Sequence, residues 1–423
     1  MTDTDHLGRP IVAITGTGIA TSLGLGKEAN WKALTAGVSG IHEITRFSIA
    51  GMRTTVAGTI DYLDMEDSSA PAMAEKLAGL VTEEALAESG IGTPGDFPGP
   101  LFMALPPVEI EWPHRRALAA AAGVDEGLSY ADLIRAGENG KFEAWYDRFL
   151  FGSVGETLAA RFGTKGSPIA TSTACASGGT AIQLGVEAIR RGECQAALVV
   201  GTDASVNPES LIRFSLLSAL STRNDPTAAR PFSKDRDGFV MAEGAGALVL
   251  ESLAHARARG ATILGILEGC GEAADGFHRT RSSPDGKPIV ACMQRALADS
   301  GLTPDQIGYV NAHGTGTPEN DKMEYVGIAA VFGDRVASLP VSSNKSMIGH
   351  TLTAAGAIEA IFTLYTIRNG VLPPTINYET PDPTLPVDCV PNVARPAKVS
   401  HAISNSFGFG GQNVCIVVGA APE

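Results

Sequence analysis

Short apolar runs alternate with stretches of helical periodicity through the first 260 residues of the chain. Apolar runs that stop at glycine are typical of buried strands, and apolar positions three and four residues apart are typical of helices. The pattern predicts strands at 10–18, 168–172, 195–201 and 244–251. It predicts helices at 28–34, 73–89, 177–192 and 254–260.

The second part of the chain repeats this alternation. Strands are predicted at 263–269, 307–312, 341–343 and 413–419, and helices at 289–300 and 353–370. Strands that alternate with helices favour layered α/β packing.

A weak internal repeat connects the two parts. At an offset of 178 residues, four positions in the 177–192 helix have the same residue as the 353–370 helix: Gly178, Ile189, Arg190 and Gly192 match Gly356, Ile367, Arg368 and Gly370. A second similarity joins 244–251 to 411–418. One interpretation is two unrelated helices that both pack small residues. The other is a duplicated α/β half, with residues 1–258 carrying a cap insertion at about 45–165 and residues 259–423 forming the second half.

Composition excludes several classes of protein. The 423 residues are 44% apolar, which excludes a disordered chain, and the formal charge of −14 argues against a nucleic-acid partner. No long uncharged apolar run predicts a membrane span, and the polar first ten residues lack the pattern of a signal peptide. Six scattered cysteines do not form a disulfide pattern, so we expect a cytoplasmic protein. The low charged fraction of 18% suggests surface covered by a partner subunit.

Cys175 lies in the segment STACASGG, where a predicted strand ends and a helix begins. The partial positive charge of a helix N-terminus favours the thiolate, and backbone N–H groups at such a turn can stabilise an oxyanion. The alternative is a buried structural cysteine. The other five cysteines lie in strand-like or helix-like contexts, and we assign them to packing.

Two histidines follow similar turns. A strand delivers His313 to the Gly-rich segment YVNAHGTGTP, and His350 precedes a helix of small residues that also follows Lys345. Histidines in such settings are candidates for proton transfer or hydrogen-bond donation. If the two halves are related by pseudo-symmetry, the His350 and Cys175 turns face one pocket. No histidine, cysteine and carboxylate group has metal-ligand spacing, so no metal site is predicted.

Ser404–Asn413, SNSFGFGGQN, places Phe407 and Phe409 among glycines. Glycine allows close approach of the backbone to a ligand and positive φ angles. The phenylalanines pack in the core or line a movable loop.

Together, TACASG (173–178), NAHGTGT (311–317), NKSMIGH (344–350) and NSFGFGG (405–411) resemble the elongating β-ketoacyl-[acyl-carrier-protein] synthases of the thiolase superfamily. RPFSKDRDGFVMAEGAG (230–246) and LPPTIN (372–377) add to the resemblance, which covers residues 11–50 and about 150–420. It implies a thiolase-like, five-layered α/β/α/β/α fold built from two duplicated halves. It also implies a homodimer, with a heterodimer as the alternative.

The resemblance implies an acyltransferase that condenses an acyl-cysteine with malonyl carrier protein in fatty-acid elongation. Cys175 would be the nucleophile, and His313 and His350 would assist decarboxylation. Lys345 and Glu359 would hold the histidines, Asp321 and Glu324 would form a supporting polar network, Thr315 and Thr317 would contact the pantetheine arm, and the N–H groups of Cys175 and Phe409 would form the oxyanion hole, with Phe407 and Phe409 at the gate. No cofactor is implied, because phosphopantetheine arrives on the carrier.

The chain departs from the family pattern in residues 60–150. A basic segment that usually helps to dock the carrier is replaced by PAMAEKLAGL (71–80), and Ser218 stands where arginine is common. The cluster His114, Arg115 and Arg116 is either a substitute contact or a solvated turn. Two other functions stay open: a non-catalytic chain-length partner subunit, and a thiolase acting on CoA thioesters. Neither Cys415, in a strand-like segment, nor the presence of Cys175 favours them.

Overall fold

The computed structural model describes residues 3–124, 127–138 and 140–422. The predicted ends of the two halves, Met1 and Glu423, lie outside the described residues, as do Thr2, Asp125, Glu126 and Asn139. None of the helices described is both long and apolar enough to cross a bilayer.

The described strands, in chain order, are β1 (Val12–Thr21), β2 (Gly24–Leu25), β3 (His42–Glu43), β4 (Val56–Ala57), β5 (Leu101–Ala104), β6 (Ile169–Thr171), β7 (Ala196–Asp203), β8 (Gly244–Ser252), β9 (Gly265–Ala274), β10 (Tyr309–Asn311), β11 (Val341–Ser342), β12 (Val371–Leu372), β13 (Arg395–Pro396), β14 (His401–Phe407) and β15 (Gln412–Ala420).

The described α-helices are α1 (Lys27–Thr35), α2 (Ala70–Ser89), α3 (Trp112–Ala122), α4 (Tyr130–Glu138), α5 (Glu143–Arg148), α6 (Ser153–Phe162), α7 (Ser177–Arg190), α8 (Pro208–Leu216), α9 (Leu253–Ala258), α10 (Lys287–Ser300), α11 (Pro318–Phe332), α12 (Lys345–Ile348) and α13 (Ala355–Asn369). One-turn 3-10 helices at Ala174–Ala176 and Leu352–Ala354 lead into α7 and α13.

The sheet shows the duplication directly. Its strand order is β11-β10-β14-β15-β9-β1-β8-β7-β5-β6, and the short pairing of β1 with β9 joins two groups of five strands. In each group three strands at the outer edge are parallel and two further strands follow antiparallel. Numbered along the chain, both groups have the spatial order 3-2-4-5-1. This shared topology confirms the predicted duplicated halves, whereas their boundary at 258/259 stays a prediction.

Three layers of helices enclose the two groups of strands. Helix α2 packs on β1, β7 and β8, helices α7 and α13 pack against each other between the strand groups, and α10 packs on β9 and β15. Each helix layer belongs to its own cluster of buried apolar side chains. The layers therefore follow the predicted α/β/α/β/α order, with α7 and α13 fully inside.

The repeat extends to backbone conformation. The 3-10 helix and α7 begin 178 residues before their counterparts, and Ala174 (φ 50°) and Leu352 (φ 46°) share an unusual left-handed conformation at equivalent positions. The alignment of 244–251 with 411–418 is shifted by one residue, because β8 and β15 have equivalent ends 168 residues apart. A one-residue shift exchanges the two faces of a strand, and apolar residues on both faces hide this error from the sequence.

The first strand is longer than predicted. It runs through Gly16 and Gly18 to Thr21, although these glycines suggested a turn. A Cβ atom at Gly16 would lie 2.1 Å from Ala85 O, and one at Gly18 would lie 1.9 Å from Val81 O. The glycines therefore let α2 approach the strand, which is a tertiary requirement.

The predicted cap at about 45–165 overlaps elements of the core. Strand β5 lies between β6 and β7, and α2 covers the sheet, so both belong to the layered half. Helices α3, α4 and α5 lie between β5 and α6, outside the repeated topology. Strand β14 was also not predicted, because its polar sequence HAISNSF was interpreted as a loop motif.

Candidate active site

The Cys175 turn (residues 173–177) is fixed by its own polar groups. Ser177 Oγ accepts a hydrogen bond from Thr173 N (2.8 Å) and donates to Ala174 O (2.6 Å). Cys175 is only 9% exposed, so the small residues around it do not leave the sulfur open to bulk solvent as expected. Its side chain instead lines the end of an internal cavity of about 470 Å³.

Burial also changes the expected ionisation of Cys175. Desolvation raises the pKa of the thiol to about 11, against the opposing effects of the Lys345 charge and a hydrogen bond from Phe409 N–H. The prediction that the helix N-terminus makes this cysteine a resting thiolate is therefore wrong, because the cost of burying an anion exceeds that stabilisation. At neutral pH the resting group is the thiol.

Two histidine rings lie beside the sulfur. One ligand atom each from Cys175, His313 and His350 lies within 4.8 Å of the others. The ring centroids of His313 and His350 are 5.3 Å apart with an interplanar angle of 82°. The structure thus brings together three residues that are far apart in sequence, at the end of one cavity.

Both rings are neutral, and their contacts identify the protonated nitrogen. Burial, followed by the charge of Lys345, holds the pKa of His313 and of His350 well below the usual range. Leu352 N–H donates to His350 Nδ1 (3.3 Å), and Lys345 Nζ lies 3.4 Å from His313 Nδ1. Since each Nδ1 accepts, each Nε2 carries the proton of the neutral ring. The site therefore presents two N–H donors.

Lys345 is a buried cation with a buried partner. Its ammonium pairs with Glu359, and both side chains are about 1% exposed. Burial raises the pKa of Glu359 to about 7, with Lys345 opposing the shift. The pair places a positive charge behind His313, which keeps that ring neutral and orients it.

Two buried carboxylates shape the loop after His313. Glu324 accepts from His313 N (2.9 Å), Gly314 N (2.7 Å) and the Asn405 side chain (3.1 Å). Asp321 accepts from Gly316 N (3.1 Å) and from Phe232 N (2.8 Å). Neither carboxylate belongs to the cavity lining, so their contacts are those of supporting residues.

The Gly-rich loop lies against the Cys175 turn. Phe407 ends β14 with its ring centroid 5.7 Å from that of His313, and it is 6% exposed. Phe409 follows, half-buried, with its N–H directed to the Cys175 sulfur. A Cβ atom at Gly408 would lie 2.8 Å from Thr173 O, so glycine is required for this approach.

The cavity connects these groups to the surface. Thr315 and Thr317 line it, and their hydroxyl groups are 2.9 Å apart. Thr317 also caps α11 by accepting from Asn320 N (3.2 Å). All predicted catalytic side chains except Lys345 line this cavity, and Lys345 lies behind His313.

The grouping of Cys175 with His313 and His350 has the donor set of a possible metal site, which the sequence spacing did not predict. Its surroundings oppose that use. A metal ligand nitrogen needs a free lone pair, and here both Nδ1 atoms accept hydrogen bonds, so the protons are on the Nε2 atoms. The arrangement therefore fits a pair of hydrogen-bond donors better than a cation.

Sequence reasoning missed several residues of the site. His278 was given no role, yet it lines the cavity beside Arg279 and Arg281. The Phe239 ring lies 5.3 Å from that of His350. Asp203, at the end of β7, accepts from the backbone and hydroxyl of Thr353 and so ties the two halves together. Phe239 lies in the quoted segment 230–246, whereas no sequence signal marked Asp203 or the 278–281 loop.

Comparison with known proteins agrees with this geometry. The β-ketoacyl synthase N-terminal domain family matches residues 10–256, and the C-terminal domain family matches residues 264–379. The 3-oxoacyl-[acyl-carrier-protein] synthase 2 of Vibrio harveyi is 36% identical over 417 residues, 96% of this chain and 97% of the relative. The tetracenomycin polyketide synthase ketoacyl synthase alpha subunit of Streptomyces glaucescens is 35% identical over 426 residues, 97% of each chain.

Solved structures give the same result. A type II polyketide ketosynthase described in complex with its acyl-carrier protein has a TM-score of 0.85 at 30% identity, over 98% of this chain and 100% of its own. A β-ketoacyl synthase from Burkholderia phymatum has a TM-score of 0.84 at 31% identity, over the same shares. Because both domain families match in tandem and the relatives are covered almost end to end, the chain belongs to the β-ketoacyl synthase family.

Proposed function

We propose that this protein is a 3-oxoacyl-[acyl-carrier-protein] synthase, which condenses an acyl group on Cys175 with a malonyl carrier thioester. The observation that carries the proposal is the placement of two neutral Nε2–H donors and a thiol within 4.8 Å at the end of one cavity. The relatives that share the family domains across nearly the whole chain are named for this reaction.

The first step transfers the acyl chain. The Cys175 sulfur attacks the acyl-carrier thioester, a new C–S bond forms, and the carrier thiolate leaves with the proton that Cys175 gives up. The N–H groups of Cys175 and Phe409 lie next to the sulfur, where the tetrahedral oxyanion forms. Covalent capture divides a difficult condensation into two easier steps.

The second step uses the two histidines. Loss of CO₂ from the malonyl thioester leaves the bonding electrons on the α-carbon, as an enolate. His313 and His350 stabilise the enolate oxygen by hydrogen bonds, which needs neutral donors and no strong base. The α-carbon then attacks the acyl-Cys175 carbonyl, a C–C bond forms, and the cysteine sulfur leaves. The low pKa values of both rings keep them in the donor state throughout the neutral range.

The alternatives fit the site less well. A non-catalytic chain-length partner has no use for a nucleophile, and Cys175 lines the cavity with both histidines. A thiolase needs a second reactive cysteine, whereas Cys415 is fully buried within β15 and desolvation raises its pKa well above the usual range. Neither alternative accounts for two Nε2–H donors around one thiol.

The acceptor chain is a finer question. The relatives include a polyketide ketosynthase subunit at almost the same identity as the synthase 2 proteins. Extension of a poly-3-oxo chain is therefore a second candidate with the same chemistry and a different substrate. A cytoplasmic location and the absence of a dedicated cofactor stay predictions from the sequence.

A dimer is also part of the proposal. Strand β6 forms one edge of the large sheet, and Ile169 on this strand is 48% exposed. An exposed apolar edge strand is a template for pairing with another chain. We expect a homodimer, with a heterodimer as the alternative, and sedimentation of the Ile169→Lys variant distinguishes a β6 interface from a monomer.

The decisive experiment is intact-protein mass spectrometry after incubation with acyl carriers of graded length, followed by malonyl carrier. We expect acylation at Cys175, its loss on addition of malonyl carrier, and release of CO₂. The matched Cys415→Ala variant keeps both steps, whereas Cys175→Ala loses condensation. Condensation by Cys175→Ala, or acylation at Cys415, contradicts the proposed function.

A further inference from the structure

The mouth of the cavity carries a group of cations that the catalytic steps do not use. Arg279, Arg281 and Lys322 line the cavity together with Cys175, and all three side chains are exposed. Among the described residues, none of these three forms an ion pair within 4.0 Å. We call these residues the mouth cations. They are unusual in a chain whose formal charge is −14.

The loop that carries the two arginines is held in place. Asp275 accepts from Phe277 N (3.0 Å) and from Ser283 N (2.7 Å), so its carboxylate closes the loop at both ends. Gly410 N donates to Arg279 O (2.8 Å), and Asp275 N donates to Gly411 O (2.7 Å). The arginines therefore extend from a fixed backbone beside the loop that contains Phe409.

Acidic groups do not cancel the mouth cations. The cavity lining includes two carboxylates, Asp275 and Glu319. The Asp275 carboxylate is occupied by backbone N–H groups and is 5% exposed. Glu319 is half-buried in the first turn of α11, where the helix N-terminus compensates its charge. The exposed charge at the mouth is therefore positive.

We propose that the mouth cations are the docking surface for the acidic carrier protein, in place of the basic segment that residues 71–80 lack. The inference rests on the proposed function. When the carrier thiol reaches Cys175, the pantetheine arm occupies the cavity, so its phosphodiester and the acidic protein surface around it come to the mouth. Arginine suits both groups, because its planar fork binds phosphate and carboxylate with two hydrogen bonds. An overall negative charge opposes encounter with an acidic partner, so a local positive patch has to attract it.

The competing cluster at Arg115 and Arg116 has a different setting. Arg115 pairs with Glu109 (3.6 Å) and donates to Ile110 O (2.6 Å), and the His114 ring packs against Trp145. None of these three basic residues lines the cavity. Their role as a carrier contact stays a prediction, and the experiment below includes it as a separate arm.

The test compares charge-reversal variants on substrates with and without the carrier. Arg279→Glu with Arg281→Glu is expected to raise the KM for acyl carrier at least tenfold at low salt. Its activity on the acyl-pantetheine thioester, which lacks both phosphate and protein, stays within twofold of wild type. A phosphopantetheine thioester separates phosphate binding from protein docking. The defect narrows at high salt, because ions screen the attraction.

Arg368→Glu with Lys398→Glu is the matched control. It changes the net charge equally at two exposed cations that do not line the cavity, and it leaves the KM for acyl carrier unchanged. The proposal is overturned if the mouth variant keeps wild-type KM for acyl carrier, if it loses pantetheine activity equally, or if only Arg115→Glu with Arg116→Glu impairs carrier use. Wild-type protein that does not condense carrier substrates at all refutes the proposed function instead.

Discussion

Replacing Gly356 by alanine tests whether the packing of α7 against α13 sets the position of the active-site turns. A Cβ atom at Gly356 would lie 2.3 Å from Gly179 N and 2.9 Å from Gly178 C, both backbone atoms of the facing helix. A flexible side chain could move away from such a contact, whereas a helix backbone in the central layer cannot move alone. The substitution therefore has to separate the two helices.

The magnitude follows from two opposing effects. Overpacking a core costs about 1–3 kcal/mol, and alanine is about 1 kcal/mol better than glycine inside a helix. Since the contact is with backbone, we expect the upper part of the range and a net loss of about 2 kcal/mol in the free energy of unfolding. The Cys175 turn precedes α7 directly, so its alkylation rate also changes.

Urea unfolding and the alkylation rate of Cys175 measure these two effects. Gly137→Ala is the matched control, because Gly137 is an exposed helical glycine in α4 with nothing within 4 Å of its Cβ position. This variant is expected to be neutral or up to about 1 kcal/mol more stable. A Gly356→Ala protein with wild-type stability and an unchanged alkylation rate refutes the reasoning.

Two further predictions concern ionisation in the site. Since burial raises the pKa of Cys175 to about 11, its alkylation rate rises with pH beyond 9, and Lys345→Met slows it further by removing a charge that favours the thiolate; faster alkylation in that variant contradicts this. Burial also raises the pKa of Glu324 to about 7, so its contribution to stability is present below the unfolded-state pKa near 4.5 and is lost as the pH rises through 7. Wild type therefore loses stability relative to Glu324→Gln between pH 5 and 8, measured as the difference in urea midpoints; a constant difference contradicts the assignment.

Sequence motifs located the candidate residues because each one follows a local pattern. Cys175, His313 and His350 each stand where an apolar strand meets a glycine-rich or small-residue segment, and such turns are visible without a structure. The repeat at an offset of 178 was likewise visible in α7 and α13. The structure extends it to matching 3-10 helices, left-handed residues and strand order.

Local pattern did not identify features that depend on contacts between distant segments. Gly16 and Gly18 resemble a turn, and only the packing of α2 explains a strand there. The resting ionisation of Cys175 was also mispredicted, because a helix N-terminus is visible in sequence while the extent of burial is not.

By itself, the sequence determined the alternation of strands and helices, the duplication and the residues able to do chemistry, since these depend on near neighbours along the chain. The tertiary structure decided which of these groups meet, which nitrogen of each histidine carries the proton, and that the 278–281 loop lies at the cavity mouth. The physical reason is that desolvation and hydrogen-bond geometry are set by atoms far apart in sequence, which only the packing of the two halves brings together.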